Sequence, residues 1–362
     1  MRKIFLCTLI PLLAICLLVS PVDAKKKKKK KDDSAPATVF YPDLPGTPRF
    51  QFLTTFNGAK DIKKKSGRFM KFVAGEEDSL EGIEKPYGAI LYNGKLFVCD
   101  IGQGLVWIFD FEAQELIRMG GSPPGRLSKP AGIAIDEDGT RYVADSALRR
   151  VLVYDRENRY ERAVGDPETL KPSDVVIIGD ELFVCSVDEG VVVVFDKIDG
   201  TELRRIGSKG SEEGQLFFPT NLAVDRDDNI YISDTGNARV LQFNTEGELQ
   251  KQFGALGLTH GNFTRPKGIA VDQKDRLYVV DAAFENIQLF DSDGTLLLFF
   301  GGHGWGVCNI NLPADVSIDY EHLDLFKDKV AEGYEIEYLV IVTSHFGQNK
   351  VNIYGFITQN GE

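Results

Sequence analysis

Two carboxylates and one carboxamide stand at the same point of a phrase that the chain repeats, and together they could hold a hard cation. In the six copies this position reads Gly88, Gly132, Asp174, Asn221, Gly268 and Asp315. Carboxylate and amide oxygens are the ligands that Ca²⁺ prefers. The alternative interpretation is that the polar side chains only cap local turns or hold water. Asp174, Asn221 and Asp315 are therefore a candidate site for Ca²⁺ or another divalent cation.

Histidine and tryptophan supply a second set of candidates. The chain has four histidines, and His260, His303 and His345 fall in loops that the repeat places on one face. Three imidazoles could bind zinc or copper, or they could be exposed loop residues at different distances from the centre. Trp305 lies in a glycine-rich loop, Gly301 to Cys308, where an aromatic ring suits recognition of a sugar or peptide. It could also be a buried anchor. All four residues are candidate ligand-binding residues.

A third set of acids recurs where the second predicted strand of a copy ends. Its members are Asp100, Asp145, Asp234 and Asp281. Each precedes a tight turn, so its carboxylate can accept backbone N–H groups from that turn. A residue repeated around a ring faces a different direction each time and cannot converge on one substrate. We predict that these aspartates are structural.

The repeated phrase also predicts the elements that position these residues. In the fourth copy, Leu222 to Val224, Ile230 to Ser233, Val240 to Phe243 and Glu248 to Phe253 alternate apolar and polar residues between turn-forming ones. Four antiparallel strands per copy, repeated radially, form a propeller blade. The six copies begin at Pro86, Pro130, Pro172, Pro219, Pro266 and Pro313. The predicted fold is an all-β, six-bladed β-propeller with four-stranded antiparallel blades.

Two segments depart from the repeat. The sixth copy lacks a fourth strand, and residues 68–75 resemble one, so this N-terminal strand is expected to complete blade six and close the ring. Residues 49–56 would then be a further strand or a clasp on the rim. An insertion over residues 320–337 has Leu323, Phe326 and Val330 at helical spacing, which predicts a short amphipathic helix. The helix would pack on the propeller or act as a docking element.

The phrase Pro-x-Gly-Ile-Ala-Val-Asp, followed by Tyr-Val-x-Asp and Asn-x-Arg-Val-x-x-Phe, resembles the NHL repeat. The resemblance covers about residues 68–354 and is clearest in the second, fourth and fifth copies. It implies a six-bladed propeller of the bacterial secreted type, whose relatives are mostly interaction platforms and occasionally enzymes. One such enzyme, the peptidyl-hydroxyglycine lyase, is expected to have zinc-binding histidines four positions after the second-strand aspartate. The residues at those positions are Gly104, Arg149, Ala238 and Glu285. The resemblance therefore does not extend to that activity.

The N-terminal region predicts export. An apolar run over residues 4–19 follows two basic residues and leads to a small-residue site, which predicts a signal peptide over residues 1–24. Cys16 stands where a lipoprotein cysteine would, but Ile15 occupies a position that favours a small residue, which disfavours a lipid anchor. We expect a periplasmic, surface-bound or secreted protein.

Residues 25–48 are predicted to be a lysine-rich and proline-rich linker, and residues 49–362 to be the propeller. Lys25 to Lys31 could contact an anionic envelope polymer, or could be a solvated spacer. The net charge is −12 despite this run of lysines, so the rest of the chain is strongly acidic. An acidic surface repels phosphates, which argues against nucleic-acid binding.

The cysteines and the common catalytic motifs exclude several further functions. Cys99 and Cys185 take equivalent strand positions and are predicted to be core thiols. No Cys-x-x-Cys-His, nucleotide-binding glycine motif or Gly-x-Ser-x-Gly elbow occurs. The sequence favours a monomeric, non-catalytic scaffold that binds a protein or an envelope glycan. The alternative is a metal-dependent hydrolase or lyase with a cation at the channel mouth.

Overall fold

The computed structural model describes residues 38–62, 81–304 and 306–361. They form six antiparallel sheets. The first strand of every sheet contacts the first strands of both neighbouring sheets, and that of the sixth contacts that of the first. The first strands therefore form a closed ring around a central channel, and the chain is an all-β six-bladed propeller, as predicted. No helix in the described part of the chain is long and apolar enough to cross a membrane.

Each of blades one to five has four strands, numbered from the channel outward. Blade one contains Pro86–Tyr92, Lys95–Asp100, Leu105–Asp110 and Glu115–Met119. Blade two contains Pro130–Ile135, Arg141–Asp145, Arg150–Tyr154 and Tyr160–Val164. Blade three contains Pro172–Ile178, Glu181–Ser186, Val191–Asp196 and Glu202–Ile206. Blade four contains Pro219–Val224, Ile230–Asp234, Arg239–Phe243 and Leu249–Phe253. Blade five contains Pro266–Val271, Leu277–Asp281, Asn286–Phe290 and Leu296–Gly301.

Blade six joins the two ends of the described chain. Its first three strands are Pro313–Asp319, Tyr334–Ser344 and Val351–Gln359, its fourth is Phe50–Phe56, and Phe40–Tyr41 adds a fifth. Closure by an N-terminal strand is thus confirmed. Assignment of that strand to residues 68–75 was wrong, because Phe50–Phe56 occupies the position; residues 68–75 lie outside the described residues.

Aromatic packing accounts for the choice of closing strand. Phe50 stacks on Phe300 of blade five with ring centroids 4.3 Å apart and meets the ring of Phe356 edge-on at 5.1 Å. Phe56, at the other end of the strand, is buried against Phe109 of blade one. The strand thus buries apolar rings between both neighbouring blades, which strongly favours its position. Phe40–Tyr41 lies within the span expected to be a linker.

The repeated aspartates have a structural role, as predicted. Asp145 is fully buried and accepts the backbone N–H groups of Ser128, Lys129, Ala147 and Leu148 at 2.7–3.1 Å. The first two precede the blade and the last two form the turn after its second strand. One carboxylate thus fixes both loops on the same end of the blade.

The insertion over residues 320–337 forms two 3₁₀ turns, Leu323–Leu325 and Lys327–Lys329, and the predicted amphipathic helix is absent from it. Asp319 accepts the N–H of His322 and holds the chain in a turn. His322 Nε2 in turn accepts the N–H of Gly94 in blade one at 2.9 Å. The apolar residues of the insertion, including the buried Phe326, pack on the core between blades six and one.

Candidate functional site at the channel mouth

The six equivalent positions of the first strands form a close-packed ring. A Cβ atom added to Gly132 would lie 2.1 Å from Asp174 Oδ1, and one added to Gly268 would lie 2.3 Å from the Cα atom of Asp315. Neither distance is sterically possible without a shift of the backbone or of the acid. Gly88 similarly faces the carbonyl oxygen of Ala131 at 2.7 Å. Glycine is needed at these positions because the neighbouring blades approach so closely.

The polar members of the ring contact one another and the backbone. Asn221 Nδ2 donates to Asp315 Oδ1 at 3.3 Å. The two oxygens of Asp174 accept the N–H groups of Val175 and Leu222, each at 2.9 Å. The structure therefore places the predicted Asp174, Asn221 and Asp315 on one ring. Both carboxylates already have donors from the backbone.

Burial sets the electrostatics of this ring. Protein surrounds most of each acid, and both Asp174 and Asp315 keep a part of their surface exposed. Burial raises the pKa of Asp174 above its usual range; it also raises that of Asp315, which the charge of Asp174 raises further. The pair therefore tends to hold a proton near neutral pH.

The ring offers oxygen donors of the type that Ca²⁺ takes, and the buried Oδ1 of Asn221 has no hydrogen-bond partner among the described residues. Ca²⁺, however, takes six to eight oxygen ligands. Among the residues that the structure describes, no group of three or more His, Cys, Asp or Glu side chains could hold a metal ion. The oxygen atoms of Asp174, Asn221 and Asp315 therefore supply only a part of the ligands that Ca²⁺ needs.

A set of cations around the mouth was missed by the sequence analysis. Four of the six copies have lysine or arginine directly before the opening proline, and one has a lysine directly after it. These residues are Lys85, Lys129, Lys171, Arg265 and Lys267. The first four form a pattern in the sequence itself, since each stands at the same point directly before its proline. The backbone N–H groups of Lys85, Lys129 and Arg265 donate hydrogen bonds to the repeated aspartates. The backbone positions of these three residues around the channel are therefore fixed.

Lys267, Tyr87 and His345 form the innermost part of this basic mouth. Lys267 Nζ lies 3.4 Å from the Tyr87 hydroxyl, and the rings of Tyr87 and His345 have centroids 5.3 Å apart. Burial and the charge of Arg265 lower the pKa of Lys267 to about 8. Burial and the surrounding cations lower the pKa of His345 to about 3, so its imidazole is neutral at pH 7.

The other predicted ligand-binding residues lie apart from this group. His260 stacks on Phe299 of the outer strand of blade five, with centroids 3.8 Å apart. His303 is exposed and pairs with Glu285. The imidazoles of His260, His303 and His345 thus have an aromatic ring, a carboxylate and a tyrosine as neighbours, and do not share one metal site. Trp305 lies outside the described residues.

Exposed apolar side chains concentrate on the same face as the mouth. The loops of this face carry Leu148, Phe217, Phe218, Leu256, Leu258, Val307 and Phe346 as exposed large hydrophobic residues. The loops at the opposite end of the strands carry Leu44 and Ile198. Such a one-sided distribution is typical of an interaction surface, since scattered exposure would favour neither face.

Two surface clefts lie between neighbouring blades, outside the ring of first strands. One of about 690 Å³ lies between blades one and two and includes Arg118, Pro123 and Tyr160 in its walls. Another, of about 520 Å³, lies between blades five and six beside Arg49 and Arg276. Neither brings together the acids, histidines or unpaired cations described above.

The four residues that follow a second-strand aspartate by four positions share one backbone conformation. Gly104, Arg149, Ala238 and Glu285 all have positive φ, between 53° and 66°. Each therefore closes the turn after a second strand in the left-handed region. Blade three has Gly190 in the same conformation. The backbone geometry explains why the turn recurs with different side chains.

Comparison with known proteins agrees with this architecture. The model of family DUF5128, described as a 6-bladed beta-propeller, matches residues 224–354. This is about a third of the chain. The match supports a six-bladed propeller, while the specific likeness to the NHL repeat remains a sequence-based prediction.

Three solved structures are similar in fold. A structural genomics protein of unknown function from Bacteroides thetaiotaomicron has a TM-score of 0.58 at 16% identity, and the match covers 85% of this chain and 76% of that protein. A gluconolactonase from Xanthomonas campestris has a TM-score of 0.56 at 14% identity, and the match covers 84% of this chain and 88% of the gluconolactonase. A virginiamycin B lyase from Staphylococcus aureus has a TM-score of 0.52 at 14% identity, and the match covers 75% of this chain and 80% of the lyase. At these identities the likeness extends to the propeller fold alone.

Proposed function

We propose that the protein is an exported, non-catalytic binding scaffold whose channel-mouth face recognises an acidic protein. The observation that carries this proposal is the concentration of exposed apolar side chains on the face that also bears the basic mouth. Protein interfaces combine an apolar centre with charged groups that select the partner. A positive mouth on a chain of net charge −12 would select an acidic partner over most of its surroundings.

A protein partner fits this surface better than an envelope glycan. Glycans need many hydrogen bonds, whereas Leu256, Leu258 and Val307 offer only aliphatic surface and are 75%, 84% and 54% exposed. Burying such side chains contributes about 1 to 2 kcal/mol each when the partner is also apolar.

A photo-crosslinking experiment in native envelope extract tests the proposal. A crosslinking residue at Phe346, on the mouth face, should capture a protein, and one at Ile198, on the opposite end, should not. The captured protein is then purified and its affinity measured. Leu258→Ser combined with Phe346→Ser should weaken binding at least tenfold, while Ile198→Ser, which removes a side chain of similar exposure (74%), should not.

Two outcomes would contradict this function. Capture from position 198 alone would place the interface on the wrong face. Captured material that is degraded by glycan cleavage and resists protease would make the ligand a glycan.

A metal-dependent hydrolase or lyase is the second candidate function. The observation in its favour is the unpartnered Oδ1 of Asn221 between two ring carboxyls, Asp174 and Asp315. Metal analysis of protein purified without a histidine tag tests it. Absence of stoichiometric metal after dialysis against micromolar Ca²⁺, Zn²⁺ and Mn²⁺ would exclude this function.

A further inference from the structure

We propose that Lys267, Tyr87 and His345 form a pocket that binds a single carboxylate group of the ligand. The inference rests on the proposed function in that the carboxylate would belong to the acidic protein partner, as a side chain or a chain terminus. It assigns the specific contact that the channel mouth makes, and it can be tested without the partner.

The first argument is the unpaired charge of Lys267. Lys267 is half-buried, yet the hydrogen bond that its ammonium group makes among the described residues goes to the neutral hydroxyl of Tyr87, at 3.4 Å. Among the described residues no Asp or Glu forms an ion pair with it, unlike Lys171, which pairs with Asp188 at 2.9 Å. Buried charges in proteins are normally paired. An external anion would supply the missing partner.

The second argument is that further cations surround the same point. Arg265 and Lys85 lie close enough for their charges to lower the pKa of His345. Lys350 Nζ binds the carbonyl oxygens of Glu84 and His345 at 2.7 and 3.2 Å, so it lies beside the same histidine. Such an accumulation of like charges is unfavourable in the free protein, and a bound anion would relieve it.

The acids of the ring do not neutralise this group. Asp174 and Asp315 lie one position further along the first strands than Tyr87 and Lys267 do in theirs. Both accept hydrogen bonds from neighbouring groups, and burial favours their neutral forms. The mouth therefore keeps its positive charge near neutral pH, with the acids beneath it.

The third argument is an unused hydrogen-bonding atom. His345 Nε2 is buried and has no hydrogen-bond partner among the described residues. In the tautomer that carries its proton on Nε2, the neutral imidazole can donate, as can the ammonium of Lys267 and the hydroxyl of Tyr87. Three donors of this kind match the lone pairs of one carboxylate.

Side-chain NMR of the four histidines, with acetate as the probe, tests the pocket. Acetate should shift the His345 signals saturably and raise the pKa of His345, because a nearby anion favours the imidazolium form. A sodium chloride titration at equal ionic strength corrects for screening. Sulfate and phosphate form separate arms, and at least tenfold tighter binding of either would overturn the carboxylate assignment.

Matched variants locate the effect. Lys267→Met should weaken acetate binding at least tenfold, whereas Lys274→Met removes an exposed lysine at the opposite end of the strands and should leave it unchanged. Tyr87→Phe deletes one donor while keeping the ring, so it should weaken acetate binding severalfold in a folded protein. Acetate that fails to shift His345, or binds equally to wild type and Lys267→Met, would overturn the pocket.

The outcomes separate the pocket from the proposed function. If acetate binds as expected but crosslinking finds no partner on the mouth face, the pocket stands and the scaffold proposal fails. If a partner binds that face with the same affinity for wild type and Lys267→Met, the scaffold stands and the carboxylate contact fails.

Discussion

Two sets of aspartates stand at the channel-mouth ends of the blades, and they have different surroundings. The second-strand acids Asp100, Asp145 and Asp281 are fully enclosed, and each accepts several backbone N–H groups from loops of its own blade. The ring acids Asp174 and Asp315 have fewer donors, contact the channel, and have raised pKa values. The number of fixed donors around a buried carboxylate thus separates a structural acid from one that is able to respond to its surroundings.

The largest effect is expected from removing a second-strand acid. Asp145→Ala removes a fully buried carboxylate and leaves the partly buried N–H groups of Ser128, Ala147 and Leu148 without their acceptor, so the free energy of unfolding should fall by about 4 kcal/mol. Urea denaturation measures this. Asp145→Asn, which keeps one acceptor oxygen, should lose less. Equal stability of wild type and Asp145→Ala would show that the second-strand acids do not stabilise the fold.

The close packing of the ring should produce the next largest effect. Gly268→Ala places a Cβ atom 2.3 Å from the Cα atom of Asp315, and backbone on both sides must move, which should cost about 3 kcal/mol. Gly121→Ala is the control, because its Cβ atom would meet nothing within 4 Å. Thermal unfolding of the two variants compares them, and a tolerated Gly268→Ala would show a looser ring.

The ring acids should make stability depend on pH in the opposite sense to ordinary paired carboxylates. Burial raises the pKa of Asp174 from 3.8 to about 7, so between these values the folded protein binds more protons than the unfolded chain. The free energy of unfolding should therefore fall as pH rises through this window, by on the order of 2 kcal/mol.

Asp315→Asn tests this pH dependence. The amide oxygen can still accept from Asn221, while the interaction between two carboxylates is lost. Urea unfolding at several pH values should give a flatter profile than that of the wild type. An unchanged slope would mean that the ring acids do not titrate in this range.

The smallest effect is expected at Lys267. Its pKa of about 8 lies below the ordinary 10.5, so the unfolded chain binds more protons between these values and stability rises with pH there. Lys267→Met removes a poorly solvated charge and should stabilise the protein at pH 7 by about 1 kcal/mol. Differential scanning calorimetry measures the change. Destabilisation would indicate that the ammonium has a partner in the free protein.

The fold was predictable because the repeat fixes strand number and order. Leading prolines and period-two patterns located all six first strands, and the position of Asp174, Asn221 and Asp315 in the copies predicted their ring. The closing strand was missed because both residues 49–56 and residues 68–75 have an apolar pattern that suits a strand. Only packing of Phe50 between Phe300 and Phe356 decides between them.

The candidate functional residues were less predictable. Lys267 differs from its counterparts Tyr87, Ala131, Ser173, Thr220 and Ala314, but nothing in the sequence says that it is half-buried without an ion pair. His345 was singled out as a possible metal ligand, and its neighbours show a site with positive charge instead. Position in a repeat tells which residues share a ring, whereas burial and charge come from contacts between blades that are distant in sequence.

Hydrogen–deuterium exchange with the purified partner tests the central claim most directly. Binding should slow exchange in the mouth-face loops over residues 207–218 and 345–350 and leave the turn over residues 197–200, at the opposite end, unchanged. Protection of residues 197–200 with unchanged exchange in the mouth-face loops would contradict the account.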